Sequence, residues 1–91
     1  MSEKISEPII VGNKRYYKYI IIWEDIVGDS QMATLNEFKI MTCADIHTEC
    51  WVFNKTTDYV YSFASYYIGN GEIEFGDRNV YPRSVVKKML R

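Results

Sequence analysis

The run Arg15-Tyr16-Tyr17-Lys18-Tyr19-Ile20-Ile21-Ile22-Trp23 restricts the fold more than any other segment. It is filled by β-branched and aromatic residues, the types that suit an extended, half-buried backbone. Alternation puts Tyr17, Tyr19, Ile21 and Trp23 on one face and Ile20 and Ile22 on the other, so both faces need cover. The apolar stretch Tyr19 to Trp23 is far shorter than the roughly 20 residues of a membrane helix. The segment therefore reads as a strand inside a sheet, and the rest of the chain must supply its neighbours.

Several segments can do so. From Ala44 to Phe53, Ile46, Thr48, Cys50 and Val52 alternate with His47, Glu49, Trp51 and Phe53, which predicts a second strand. Asn54 to Asp58 is a polar hairpin loop, and Tyr59 to Tyr67 a third strand pairing back antiparallel. Gly69-Asn70-Gly71 is a turn, and a fourth strand runs from Glu72 to Tyr81, with a break signalled at Gly76-Asp77. After a turn hinged at Pro82, Val85 to Leu90 forms the fifth.

Between the first two strands lies an acidic, glycine-bearing connector from Glu24 to Ala33, followed by one short helix from Thr34 to Met41. Thr34 and Glu37 have the spacing of a capping box. Two turns of helix are not stable alone, so Leu35, Phe38 and Met41 are expected to form an inner face docked on the sheet. Residues 1–13, polar apart from Pro8 to Val11 and closed by the turn signal Gly12-Asn13, read as a flexible arm with brief edge pairing. Residues 14–91 then form a single domain, since 91 residues leave no room for a second core. Short antiparallel strands with one helix predict a mainly β (α+β) fold, a small antiparallel barrel of about five strands that hides its edges by curling.

Function is less legible. The net charge of −1 denies the chain a general attraction to phosphate, so nucleic acid would need a local basic patch. Lys14, Arg15 and Lys18 could merge with Arg83, Lys87, Lys88 and Arg91 into such a patch, opposed to the acidic loop. Lysine-guarded strand edges are the commoner meaning of this pattern. Cys43 and Cys50 follow a polar N-terminus with no apolar signal core, which points to the reducing cytosol and to two free thiols used in packing. The lone His47 and these cysteines match no zinc spacing, and Cys50 and His47 project to opposite faces of one strand. Neither a metal, a cofactor nor a catalytic residue is therefore assigned.

Two surface features stand out. Glu24, Asp25 and Asp29 converge in one loop without the ligand pattern of a calcium site, which favours a contact surface for a basic protein partner. Aromatic residues make up 15% of the chain, with eight tyrosines, more ring area than one closed core can take. The surplus must line a groove, cover an oligomer interface or stack a base.

The ending Tyr81-Pro82-Arg83-Ser84-Val85-Val86-Lys87-Lys88-Met89-Leu90 is similar to that of Src-homology-3-like (SH3-like) small barrels, in which a one-turn helix before the last strand begins at a proline. The inserted helix and the lack of an Ala-Leu-Tyr-Asp-Tyr opening depart from the peptide-binding members. The chain from about residue 15 to 90 also resembles small uncharacterised proteins of tailed bacteriophages, through Ile22-Trp23-Glu24-Asp25, Gly28-Asp29-Ser30 and Tyr81-Pro82-Arg83. That resemblance implies a non-enzymatic accessory protein that binds and blocks a host protein in the cytoplasm. On this reading Trp23, Glu24, Asp25, Asp29, Tyr59 and Tyr61 form the partner contact. An alternative is an oligomer that holds a nucleotide through Arg78, Tyr81 and Arg83. A third is a nucleic-acid-binding small barrel, against which the acidic balance counts. No membrane contact is expected, and homo-oligomerisation stays open.

Overall fold

A computed structural model describes residues 7–91. Eight strands and one short helix follow in the order β1 (Ile9–Val11), β2 (Lys14–Asp25), α1 (Leu35–Lys39), β3 (Ala44–Lys55), β4 (Tyr59–Phe63), β5 (Ser65–Gly69), β6 (Glu72–Gly76), β7 (Asn79–Pro82) and β8 (Val86–Leu90). The fold is mainly β and every ladder is antiparallel. β2 is the hub: it pairs β1 at one end and β8 at the other along one edge, and β3 along the opposite edge. From β3 the sheet continues through β4 to β7, while β5 and β6 form a separate hairpin. β7 and β8 are joined by a 3-10 turn, Arg83–Val85, but carry no ladder to each other, so the sheet does not close into a barrel.

Local chemistry sets the turns. Gly12 and Asn13 both take left-handed backbone, with φ of 56° and 68°, as do Asn70 and Gly71, with φ of 52° and 76°. Two successive positive-φ residues match the right-handed twist of a hairpin, and Gly and Asn adopt them at least cost. These turns close β1 onto β2 and β5 onto β6. Residues 1–6 of the expected N-terminal arm lie outside the described residues. Ile9–Val11 does pair at an edge, and Val11, at 2% exposure, belongs to a core cluster.

Both faces of the sheet are apolar, and they are covered differently. On one face Ile21, Cys50, Val60 and Tyr81 form a core against which Trp23, Val86 and Met89 pack. On the other, Val11, Tyr16 and Phe63 form a second core flanked by Trp51 and Phe75. The second face is closed by β1 and by the β5–β6 hairpin, whose Phe75 ring lies 4.8 Å from that of Phe63.

Three expectations are corrected here. The single strand expected from Tyr59 to Tyr67 is split at Ala64, whose N–H donates to the Gly76 carbonyl at 3.2 Å; the split frees β5 to turn over the second face with β6. The short helix does form, with both capping-box bonds in place, but it does not dock. Leu35 and Phe38 are 68% and 67% exposed, and none of its residues is buried. The cap replaces the tertiary contact that the sequence reading required, by satisfying backbone donors locally. Finally, the basic tail is not opposed to the acidic loop. A bulge between Ile22 and Trp23 leaves Lys87 outside the β2–β8 register, and its ammonium meets Asp45 at 3.0 Å and Glu24 at 3.8 Å.

Candidate functional site

Residues 26–43 leave the sheet between β2 and β3 as a projecting arm that carries α1. Its apolar side chains are in water: Met32 is fully exposed, and Ile26 and Ile40 nearly so. The arm is ordered by its own polar groups. Asp25 Oδ1 accepts from the Ile26 N–H and Asp29 Oδ1 from the Gln31 N–H, both at 2.9 Å. Thr34 N–H donates to Glu37 Oε1 at 2.9 Å and Glu37 N–H to Thr34 Oγ1 at 3.2 Å. The bonds from Thr34 hold the Glu37 carboxyl below its usual range. Leu35 and Phe38, three apart, stand on one side of the capped turn. Leu35 and Phe38 thus form an apolar patch in water.

The second feature is a cavity of about 740 Å³ between the β5–β6 hairpin and the second face of the sheet. Tyr61, Phe63 and Val80 line it from β4 and β7, Ile73 and Phe75 from the hairpin. Phe53 joins them from β3, on the same face as Trp51, beside a register shift between Val52 and Asn54. Arg78, in the link from β6 to β7, stands at this cavity and makes no ion pair or side-chain hydrogen bond among the described residues.

The residues chosen from sequence are dispersed over these features. Trp23 packs against the first core, its ring 5.5 Å from Tyr81 and its indole bonded to Thr48, so it is no exposed anchor. Tyr59 and Tyr61 stack edge-to-face at 6.2 Å on the opposite face of β4 from Val60, hence on the other side of the sheet from Trp23. Glu24 is engaged by Lys87, and Asp25 and Asp29 shape the arm. The nucleotide triad does not converge either. Tyr81 is buried in the first core, Arg78 stands at the cavity, and Arg83 is tied to the β3–β4 loop by its Nε donating to the Thr56 carbonyl at 3.1 Å. Strand alternation explains the separation, because Val80 and Tyr81 must point to opposite faces.

The expected basic patch is broken up too. Lys18 pairs with Glu49, Lys87 with Asp45, and the Arg91 guanidinium lies 4.1 Å from the Tyr17 ring. Cys43 and Cys50 are both free; Cys50 is buried as packing, whereas Cys43 is exposed and packs nothing. Among the described residues no cluster of His, Cys, Asp and Glu could hold a metal ion. Among the described residues no helix is long and apolar enough to cross a membrane. What the sequence reading missed was the exposure of Leu35 and Phe38 and the pairing of Phe53 with Phe75 across the cavity. The capping box was the available signal for the first, since it lets a short helix stand by itself.

Comparison with family models, with curated proteins and with solved structures finds no match.

Proposed function

We propose that this chain is a non-enzymatic binding module that presents the arm of residues 26–43 to a protein surface. The observation that carries the reading is the exposure of Met32, Leu35, Phe38 and Ile40 on an arm whose only helix is fixed by its own cap. Preformed anchors bind at less entropic cost than a floppy loop, and aromatic residues and Met are enriched at the cores of interfaces. Between Glu24 and Cys43 four carboxylates stand against one lysine. The fitting surface is therefore an apolar groove with a basic rim, read by helix anchors. The similarity to phage proteins would make the blocked partner a host protein, and the 3-10 turn that follows Pro82 supports an SH3-like relationship for the scaffold.

The test is a pull-down from lysate with the wild-type chain and with Phe38→Glu, at low and high salt. Capture of a defined protein by the first and not the second supports the reading. Equal capture by both, or no capture by a wild-type chain that is also monomeric, removes it.

A further inference from the structure

We infer that the surface fitting the arm is present on a second copy of this chain, so that two protomers exchange arms, each arm seated in the aromatic cavity of the other. The inference rests on the arm being a contact element, as proposed above, and adds the identity of its occupant.

Three observations carry it. The first is area. The accessible surface is 7560 Å², whereas a compact monomer of this mass exposes about 5500 Å². The radius of gyration is 17.4 Å, against about 12 Å for a compact domain of this length. The excess is of the order that each subunit of an obligate dimer buries, about 1000–2500 Å².

The second is complementarity. The arm offers Leu35 and Phe38 beside Glu37. The cavity offers Phe53, Tyr61 and Phe75, and its lining also holds Glu74 and an Arg78 that makes no ion pair among the described residues. Apolar anchors meet the aromatic part of the lining, and Arg78 gives the Glu37 carboxylate an opposite charge to pair with, while Glu74 on the same lining requires that Glu37 approach from the Arg78 side.

The third is placement. The arm leaves the Asp25–Ala44 end of the β2–β3 ladder, and Phe53 lies just past the Tyr17–Val52 end. From Asp25 to Tyr17 an extended strand spans about 26 Å, so an arm does not reach the cavity of its own chain. A two-fold axis near the middle of the ladder places each arm at the other protomer's cavity. The contact then closes as a reciprocal dimer instead of propagating into a filament.

The experiment is light scattering coupled to size exclusion, with native mass spectrometry, on the wild type, Phe38→Glu, Arg78→Glu and an equimolar mixture of the two variants. Both substituted residues are exposed, and unchanged far-ultraviolet circular dichroism verifies folding. The expected result is a wild-type dimer, at least a tenfold weaker dimer for either variant, and partial recovery in the mixture. Recovery arises because the mixture restores one arm-in-cavity contact between an intact arm and an intact cavity. A monomeric wild type, a dimer indifferent to both substitutions, or a monomer that retains a nucleotide overturns the inference. If the wild type is monomeric yet still captures a protein through Phe38 in the lysate experiment, only the self-association fails. If that capture is lost as well, the proposed function fails with it.

Discussion

The Trp23 indole Nε1 donates to Thr48 Oγ1 at 2.9 Å, across the β2–β3 ladder and one diagonal step from direct pairing. Trp23 sits opposite Ile46 and Ile21 opposite Thr48, so the bond ties two rungs of the same face together. It also fixes the ring against Tyr81, 5.5 Å away on β7, at the point where the first core meets the ending of the chain.

Thr48→Val keeps the shape of the side chain and removes the acceptor. The indole N–H is then left without a partner in a part-buried site, and stability is expected to fall by about 1 kcal/mol. Urea unfolding followed by tryptophan fluorescence measures this. An unchanged midpoint would show that water replaces the hydroxyl at no cost.

Phe63, at 1% exposure, is in contact with Tyr16, Trp51, Phe53 and Phe75. Phe63→Ala should cost about 3–5 kcal/mol, because the rings around it are held on three different strands and do not collapse into the void. Thermal or denaturant unfolding will show whether the second face is a true core. A loss near zero would mean that the hairpin already rides loosely on the sheet.

The two thiols should differ in reactivity. Burial pushes the Cys50 thiol above its ordinary pKa, opposed by the neighbouring Ser62 hydroxyl and reinforced by Glu49, while Cys43 is exposed. A thiol reagent at neutral pH is expected to titrate one cysteine in the native protein and two in denaturant. Cys43→Ser should abolish the fast reaction; persistence of that reaction would place Cys50 in solvent.

The capping box predicts an acid-sensitive arm. The hydrogen bonds of Thr34 lower the Glu37 pKa in the folded state. A lowered carboxyl pKa gives stability that is complete above the usual glutamate value and is lost as pH falls through the folded one. Amide hydrogen exchange at Thr34 and Glu37 should therefore quicken on acidification relative to neighbouring arm amides. Glu37→Gln should lack that dependence, and the same acid response in this variant would assign it to another group.

Much of the scaffold is written locally. The alternation in Arg15 to Trp23 and in Ala44 to Phe53 specifies β2 and β3, including the face shared by Ile21, Thr48 and Cys50. Gly12-Asn13 and Asn70-Gly71 specify their hairpins, and Thr34 with Glu37 the helix start. The candidate surfaces were legible only in part. Phe53 and Phe75 lie on different strands and meet at 5.2 Å only after the chain breaks at Ala64 and the hairpin folds back. Lys87 pairs with Asp45 only because a bulge shifts it out of register.

The sequence by itself determined β2, β3, the tight turns and the cap, since these depend on neighbours one to four positions away. Tertiary structure decided which apolar residues are enclosed, because enclosure depends on what the other strands bring to each face. Trp23 and Tyr81 were drawn into a core, and Leu35 and Phe38 were left outside one. No periodicity distinguishes these pairs. A hydrophobic side chain has the same local signature whether it meets its own sheet or waits for a partner.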